Sequence, residues 1–125
     1  MSKGRILVVE DNMDTYELVR FILEKNGYEV FLAVNGRDGV NAANKQKPDL
    51  IMMDLSMPEM DGWTAIRLIK ENKQTASIPL IALTAHVLPG DRQRAVDSGC
   101  DEYITKPMDL IEMVETVNRW VKNTK

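Results

Sequence analysis

A chain of 125 residues, 44% hydrophobic and 28% charged, has room for a single compact domain, residues 1–125, because domains commonly run to about 100–200 residues. A formal charge of −3 excludes a nucleic-acid binder that relies on a basic surface, since phosphate neutralisation dominates such affinity. The lone Cys100 excludes an intramolecular disulfide and any four-cysteine zinc site, and it reads as a small buried residue in a reducing compartment.

The first apolar run, Ile6-Leu7-Val8-Val9, is stopped by Glu10 and Asp11. It is too short for a signal-peptide core or a membrane span. No later run approaches membrane length, so the chain is expected to be soluble and cytoplasmic. Three similar runs follow, Val30-Phe31-Leu32-Ala33, Leu50-Ile51-Met52-Met53 and Leu80-Ile81-Ala82-Leu83. Continuous hydrophobicity of this length predicts strands covered on both faces.

Helical spacing fills the intervals: Leu18, Val19, Ile22 and Leu23, then Gly39, Val40 and Ala43, then Ala65, Ile66 and Ile69. Asp11 or Asn12 can cap the first helix. Asn26-Gly27 and Ser98-Gly99 read as helix ends. Pro48 and Pro79 stop the preceding segment just before a strand, and Asp61-Gly62 fits a turn into the third helix. Glu102 to Thr105 alternates polar and apolar, as an edge strand does. Leu110, Met113, Val114, Val117 and Val121 then form the apolar stripe of a last helix. Strands alternating with helices predict an α/β fold, a parallel sheet with helices on both faces. Trp63 and Trp120 read as core packing or as partly exposed partner anchors.

Chemistry collects at the strand ends. Glu10 and Asp11 follow the first strand, Asp54 follows the third run, Thr84 the fourth, and Lys106 the last strand. Open parallel sheets bind ligands at the carboxyl ends of their strands, where strand order reverses, so these distant residues are expected at one edge. Carboxylates gathered there repel one another unless a cation is present. Glu10, Asp11 and Asp54 are hard oxygen ligands suited to magnesium (Mg2+), which usually takes one or two protein carboxylates and keeps several waters. An Asp54 oxygen remains as a nucleophile. The Lys106 ammonium, the Thr84 hydroxyl and the Ala85 backbone N–H are placed to receive a phosphoryl group.

The strings Val8-Val9-Glu10-Asp11-Asn12, Asp54-Leu55-Ser56-Met57-Pro58-Glu59-Met60-Asp61-Gly62, Leu83-Thr84-Ala85 and Thr105-Lys106-Pro107 span nearly the whole chain. In them the sequence resembles the receiver domain of two-component response regulators, of the free-standing single-domain type. The resemblance implies a flavodoxin-like, doubly wound α/β fold, with a five-stranded parallel sheet in the order 2-1-3-4-5 and five helices. It makes Asp54 the phospho-acceptor, with Mg2+ held by Glu10, Asp11, Asp54 and the Ser56 main-chain carbonyl. Thr84, Ala85 and Lys106 contact the phosphoryl group. Thr84 and Tyr103 form the switch, the tyrosine turning inward when Thr84 engages the phosphate. The Lys106-Pro107 bond is expected to be cis. Ser56 and His86 are expected to tune dephosphorylation.

The implied partners are a sensor histidine kinase or a histidine phosphotransfer protein as donor, and a downstream protein target reached through the fourth helix, fifth strand and fifth helix. Neither nucleic acid nor membrane is implied as a partner, and no output domain is expected. The chain is expected to be a monomer or a weak dimer. Its chemistry is self-directed phosphoryl transfer with slow autodephosphorylation, so it is not expected to be an enzyme. Two alternatives stand beside this reading: a haloacid-dehalogenase-like phosphatase, and a non-phosphorylated interaction scaffold. Such phosphatases place a second Asp two residues after the nucleophile, where Ser56 stands and cannot serve as a general acid and base at neutral pH. A flavin carrier of the same topology is rejected, because Glu10 and Asp11 would repel the flavin phosphate.

Overall fold

The computed structural model describes residues 2–55, 62–84, 93, 97–105 and 109–123. The four apolar runs become β1 (Arg5–Val9), β2 (Glu29–Ala33), β3 (Leu50–Asp54) and β4 (Leu80–Thr84), and the alternating segment becomes β5 (Glu102–Thr105). Helices α1 (Met13–Lys25), α2 (Gly36–Gln46) and α3 (Gly62–Glu71) fill the intervals, and a last helix spans Leu110–Asn123. Gln93, Asp97 and Ser98 are also helical; the remainder of the segment expected as the fourth of five helices lies outside the described residues. Among the described residues, no helix is long and apolar enough to cross a membrane.

All four strand pairings are parallel, and the sheet order is β2-β1-β3-β4-β5. The chain therefore winds outward from β1 in one direction and from β3 in the other, which leaves a crevice at the carboxyl ends of those two strands. Side chains along a strand point alternately to opposite faces. Ile6, Val8, Leu50, Met52, Ile81 and Leu83 cluster with Val19 and Leu23 of α1 and with Met113 and Val117 of the last helix. Leu7, Val9, Ile51, Met53, Leu80 and Ala82 cluster on the opposite face with Ala43 of α2 and with Ala65, Ile66 and Ile69 of α3. The three central strands are thus apolar on both sides, which is why their sequences read as unbroken hydrophobic runs.

Two expectations need correcting. Val30, Phe31 and Leu32 of β2 are covered only in part: Val30 and Leu32 pack against one core and Phe31 against the other, and none of the three is fully buried. At the edge of the sheet β2 has one strand neighbour, and the Arg5 guanidinium lies 5.2 Å from the centre of the Phe31 ring. In α1 the core face is Tyr16, Val19 and Leu23, whereas Leu18 is 48% exposed. At about 3.6 residues per turn, Leu18 projects from the side of the helix opposite those three. Punctuation follows the sequence: Gly27 and Gly99 have φ of +93° and +91°, the left-handed conformation that ends helices most cheaply at glycine.

Candidate functional site

Asp54 is the last residue of β3, directly opposite Leu83 of β4. The Leu55 amide donates to the Leu83 carbonyl at 3.0 Å, which carries the ladder with β4 one residue past the strand and fixes the backbone after Asp54 on that side. The Asp54 side chain is nearly buried, at 3% exposure. Val9 pairs with Met53, so Glu10, the next residue along, emerges beside Asp54. Its amide donates to the Ala33 carbonyl at 2.9 Å, and its Oε2 accepts the Asn12 N–H at 3.2 Å.

Asn12, not Asp11, is the cap of α1. Its Oδ1 accepts from the Thr15 amide at 3.1 Å, satisfying one of the helix's free N–H groups. The exposed Asp11 carboxylate therefore has no capping duty. One carboxylate oxygen from each of Glu10, Asp11 and Asp54 lies within 4.8 Å of the other two. For two ionised groups at that separation the repulsion is about 3.5 kcal/mol at an effective dielectric of about 20. Two of the three, Glu10 and Asp54, are buried, so water does little to relieve it. Three hard oxygen donors converging in a half-buried crevice fit a divalent cation of the magnesium or calcium class.

Thr84 closes β4 and is 7% exposed. It follows the residue paired with Asp54, and it faces Thr105 of β5. Tyr103 pairs with Ala82. By alternation Ala82, Thr84 and Tyr103 lie on one face of adjacent strands, and Tyr103 is partly buried against the core on that side. The structure thus brings Glu10, Asp11 and Asp54 together and sets Thr84 at the end of the next strand, with Tyr103 one pleat behind it. Ser56, Ala85, His86, Lys106 and Pro107, including the expected cis peptide and the dephosphorylation-tuning roles, lie outside the described residues.

Gly62 carries a constraint that its turn-like sequence hides. It is the first residue of α3, and a Cβ there would lie 2.5 Å from Leu55 Cα and 2.9 Å from the Asp54 carbonyl oxygen. The start of α3 therefore rests directly on the backbone that carries Asp54, an approach only glycine permits. The Asp61-Gly62 dipeptide signals a turn but not this contact. Trp63 and Trp120 are both partly buried against the cores, and the Trp120 indole N–H donates to Glu102 Oε2. Cys100 is partly buried rather than fully inside.

Residues 6–118 match the profile of the response regulator receiver domain. The chain is 34% identical over 116 residues to the polar-differentiation response regulator DivK of Brucella anthropi, covering 93% of this chain and 94% of that protein. It is 40% identical over 120 residues to the DNA-binding dual master transcriptional regulator RpaA of Synechocystis sp., covering 96% of this chain but 50% of that protein. Among solved structures it is similar to the receiver domain of sensor histidine kinase PA1611 from Pseudomonas aeruginosa PAO1, which has a magnesium ion coordinated in its active site cleft. The TM-score is 0.88 at 35% identity, over 95% of this chain and 98% of that one.

Proposed function

The chain belongs to the response regulator receiver domain family of two-component systems, and from that premise we propose that Asp54 accepts a phosphoryl group from a phosphohistidine on a sensor histidine kinase or a histidine phosphotransfer protein. The convergence of the Glu10, Asp11 and Asp54 oxygens within 4.8 Å at the β1–β3 crevice carries this reading. Asp11 and Asp54 would hold Mg2+ directly and Glu10 directly or through water, with the Ser56 carbonyl as a further contact. When bound, the ion supplies positive charge against the carboxylates and the incoming phosphoryl oxygens.

An Asp54 oxygen forms the new bond to phosphorus as the donor's phosphorus–nitrogen bond breaks, and the histidine nitrogen leaves with that electron pair. The Thr84 hydroxyl and the Ala85 N–H donate to phosphoryl oxygens, and the Lys106 ammonium balances their charge. Engagement of Thr84 by the phosphoryl group draws on the neighbouring Tyr103, biasing the region before β5, β5 itself and the last helix toward a second arrangement that a downstream protein reads. Ser56 and His86 set the lifetime of the phosphorylated state through access of water. Turnover of free phosphate esters is expected to be negligible, because the position two residues after Asp54 is Ser56 and not a second acid.

The test is incubation with Mg2+ and a small acyl-phosphate donor, followed by intact mass, with Asp54→Asn as control. A single phosphoryl adduct on the wild type alone is the expected result. Sustained release of phosphate from many esters would point instead to a phosphatase, and no adduct with or without Mg2+ would leave an interaction scaffold.

A further inference from the structure

β5 is a short edge strand with little in its own pattern to fix its register. Of Glu102–Thr105 only Ile104 is buried. A slip of one residue against β4 would carry Tyr103 to the face opposite Thr84, because side chains alternate with a period of two. The register is pinned at the other end of the strand, by residues that belong to no motif. The Asp101 N–H donates to the Leu80 carbonyl at 2.9 Å, and Asp101 Oδ2 accepts from the Leu80 N–H at 2.8 Å.

The same Oδ2 accepts from the Lys70 ammonium at 2.7 Å. Lys70 also donates to the Ala76 and Ile78 carbonyls at 3.1 and 2.7 Å, so its three N–H bonds have three acceptors. The Lys70 and Asp101 side chains are 14% and 30% exposed. Gly99, at φ +91°, leaves room for the lysine stem, and a Cβ there would stand 3.3 Å from Lys70 Cγ. One ammonium therefore ties together the last turn of α3, the connection to β4, and the starts of β4 and β5. The burial of most of the Lys70 side chain and the full hydrogen bonding of its ammonium distinguish it from a pair exposed at both ends, which fluctuates and contributes little.

We propose that Lys70 and Asp101 are positioning residues for the phosphorylation site: they lock β5 in register on β4 and so hold Tyr103 beside Thr84, from about 13 Å away at the opposite end of the strand. This rests on the phosphoryl-acceptor reading of Asp54. With the lock broken, β5 is still held by Ile104 and by Glu102, which accepts from Arg119 at 2.8 Å and from the Trp120 indole. The strand persists, and Tyr103 loses its single placement.

The test uses the full chain labelled with 3-fluorotyrosine, which yields one fluorine signal from each of three tyrosines; Tyr103 is assigned with Tyr103→Phe. Lys70→Met keeps the apolar stem over Gly99 and removes the ammonium. In it, and in Asp101→Ala, the Tyr103 signal is expected to shift or broaden while those of Tyr16 and Tyr28 stay. Phosphorylation of Asp54 by a small acyl phosphate is expected to slow by about tenfold. Asp101→Asn keeps an acceptor for the Leu80 N–H and is expected to fall between; it carries the test should Asp101→Ala not fold. A lowered unfolding midpoint with an unmoved Tyr103 signal and an unchanged phosphorylation rate overturns the proposal. A Tyr103 signal that moves in a chain no donor phosphorylates supports the register lock and refutes the acceptor reading instead.

Discussion

Replacing Gly62 by alanine tests how tightly the floor of the site is built. The added Cβ would lie 2.5 Å from Leu55 Cα, 2.7 Å from Leu55 Cδ2 and 2.9 Å from the Asp54 carbonyl oxygen. Two of those atoms are backbone at the strand end that carries Asp54, so no rotamer change relieves the contact. Either α3 or the end of β3 must move by about 1 Å to restore ordinary separations of about 3.5 Å. Overpacking of this kind costs about 1–3 kcal/mol. Alanine's helix preference over glycine, about 1 kcal/mol in a helix interior, offsets little at a first residue. For a net 2 kcal/mol, an unfolding entropy of about 2.1 cal/mol/K per residue over 125 residues gives about 0.26 kcal/mol/K and a fall in Tm of about 8 °C. The displaced strand end should also slow phosphorylation by about tenfold or more. Gly4→Ala is the control, because the three nearest neighbours of its Cβ would be side-chain atoms, Asp49 Oδ2 and Val121 Cγ1 at 3.3 Å and Asp49 Cβ at 3.6 Å, and its Tm should fall by well under half as much as that of Gly62→Ala. Thermal unfolding and an acyl-phosphate time course read both effects. A Gly62→Ala protein that melts with the control and is phosphorylated at the wild-type rate would refute the packing argument.

Mg2+ should raise the Tm of the wild type, because neutralising Glu10, Asp11 and Asp54 favours the folded state. At a hundredfold excess over Kd the gain is about 2.7 kcal/mol, or about 10 °C; Asp11→Asn should lose most of it, and a wild-type Tm indifferent to Mg2+ would argue against the metal site. Asn12→Ala should cost about 1 kcal/mol, or about 4 °C, through the lost cap, whereas Asp11→Ala in metal-free buffer should cost no capping energy; equal losses in thermal unfolding would contradict the assignment. Burial pushes the Cys100 thiol up, the Ser98 hydrogen bond and the Lys70 charge pull it down, and the Asp101 charge raises it further. The folded chain then keeps a proton that the unfolded chain has released, so stability is intact below the ordinary thiol pKa of about 8.5 and declines as pH rises above it. Cys100→Ala should remove that part of the decline in denaturant midpoints, and identical slopes in the two proteins would exclude Cys100 as its source.

The strands were legible because β1, β3 and β4 are sandwiched, and a sandwiched strand has no solvent face on which to place a polar residue. β2 misled for the same reason in reverse: Val30, Phe31 and Leu32 carry the hydrophobicity of a central strand at an edge, where Arg5 and neighbouring helices cover only part of them. Leu18 has the same helical spacing as Val19, Ile22 and Leu23, because adjacent apolar residues blur helical phase; Tyr16, seven residues before Leu23, fixes which side of α1 faces inward. The gathering of Glu10, Asp11 and Asp54 was legible because Glu10 and Asp11 directly follow β1 and Asp54 ends β3, and parallel topology sends neighbouring strand ends to one edge. Its supports were not. Gly62 acts by lacking a side chain near Leu55, and Lys70 and Asp101 act by where three carbonyls and one amide happen to converge. Neither kind of role alters residue type in a way that spacing reveals.

Alternation along the strands also divides the labour at the site. Asp54 shares its face with Leu50 and Met52, the side covered by α1 and the last helix, and Glu10 shares that face through Ile6 and Val8. Thr84 and Tyr103 share the opposite face, with Leu80 and Ala82. Glu10 and Asp54 therefore lie on the side of the sheet opposite Thr84 and Tyr103, and the two sets approach each other at its carboxyl edge, where β4 runs one residue past the end of β3. A phosphoryl group on Asp54 can reach Thr84 there without disturbing the core beneath either face. Under the proposed function, that geometry would confine the switch to the half of the sheet bounded by β4 and β5. β5, a short strand at the edge of the sheet with one buried residue, would then be the element such a switch could move at least cost.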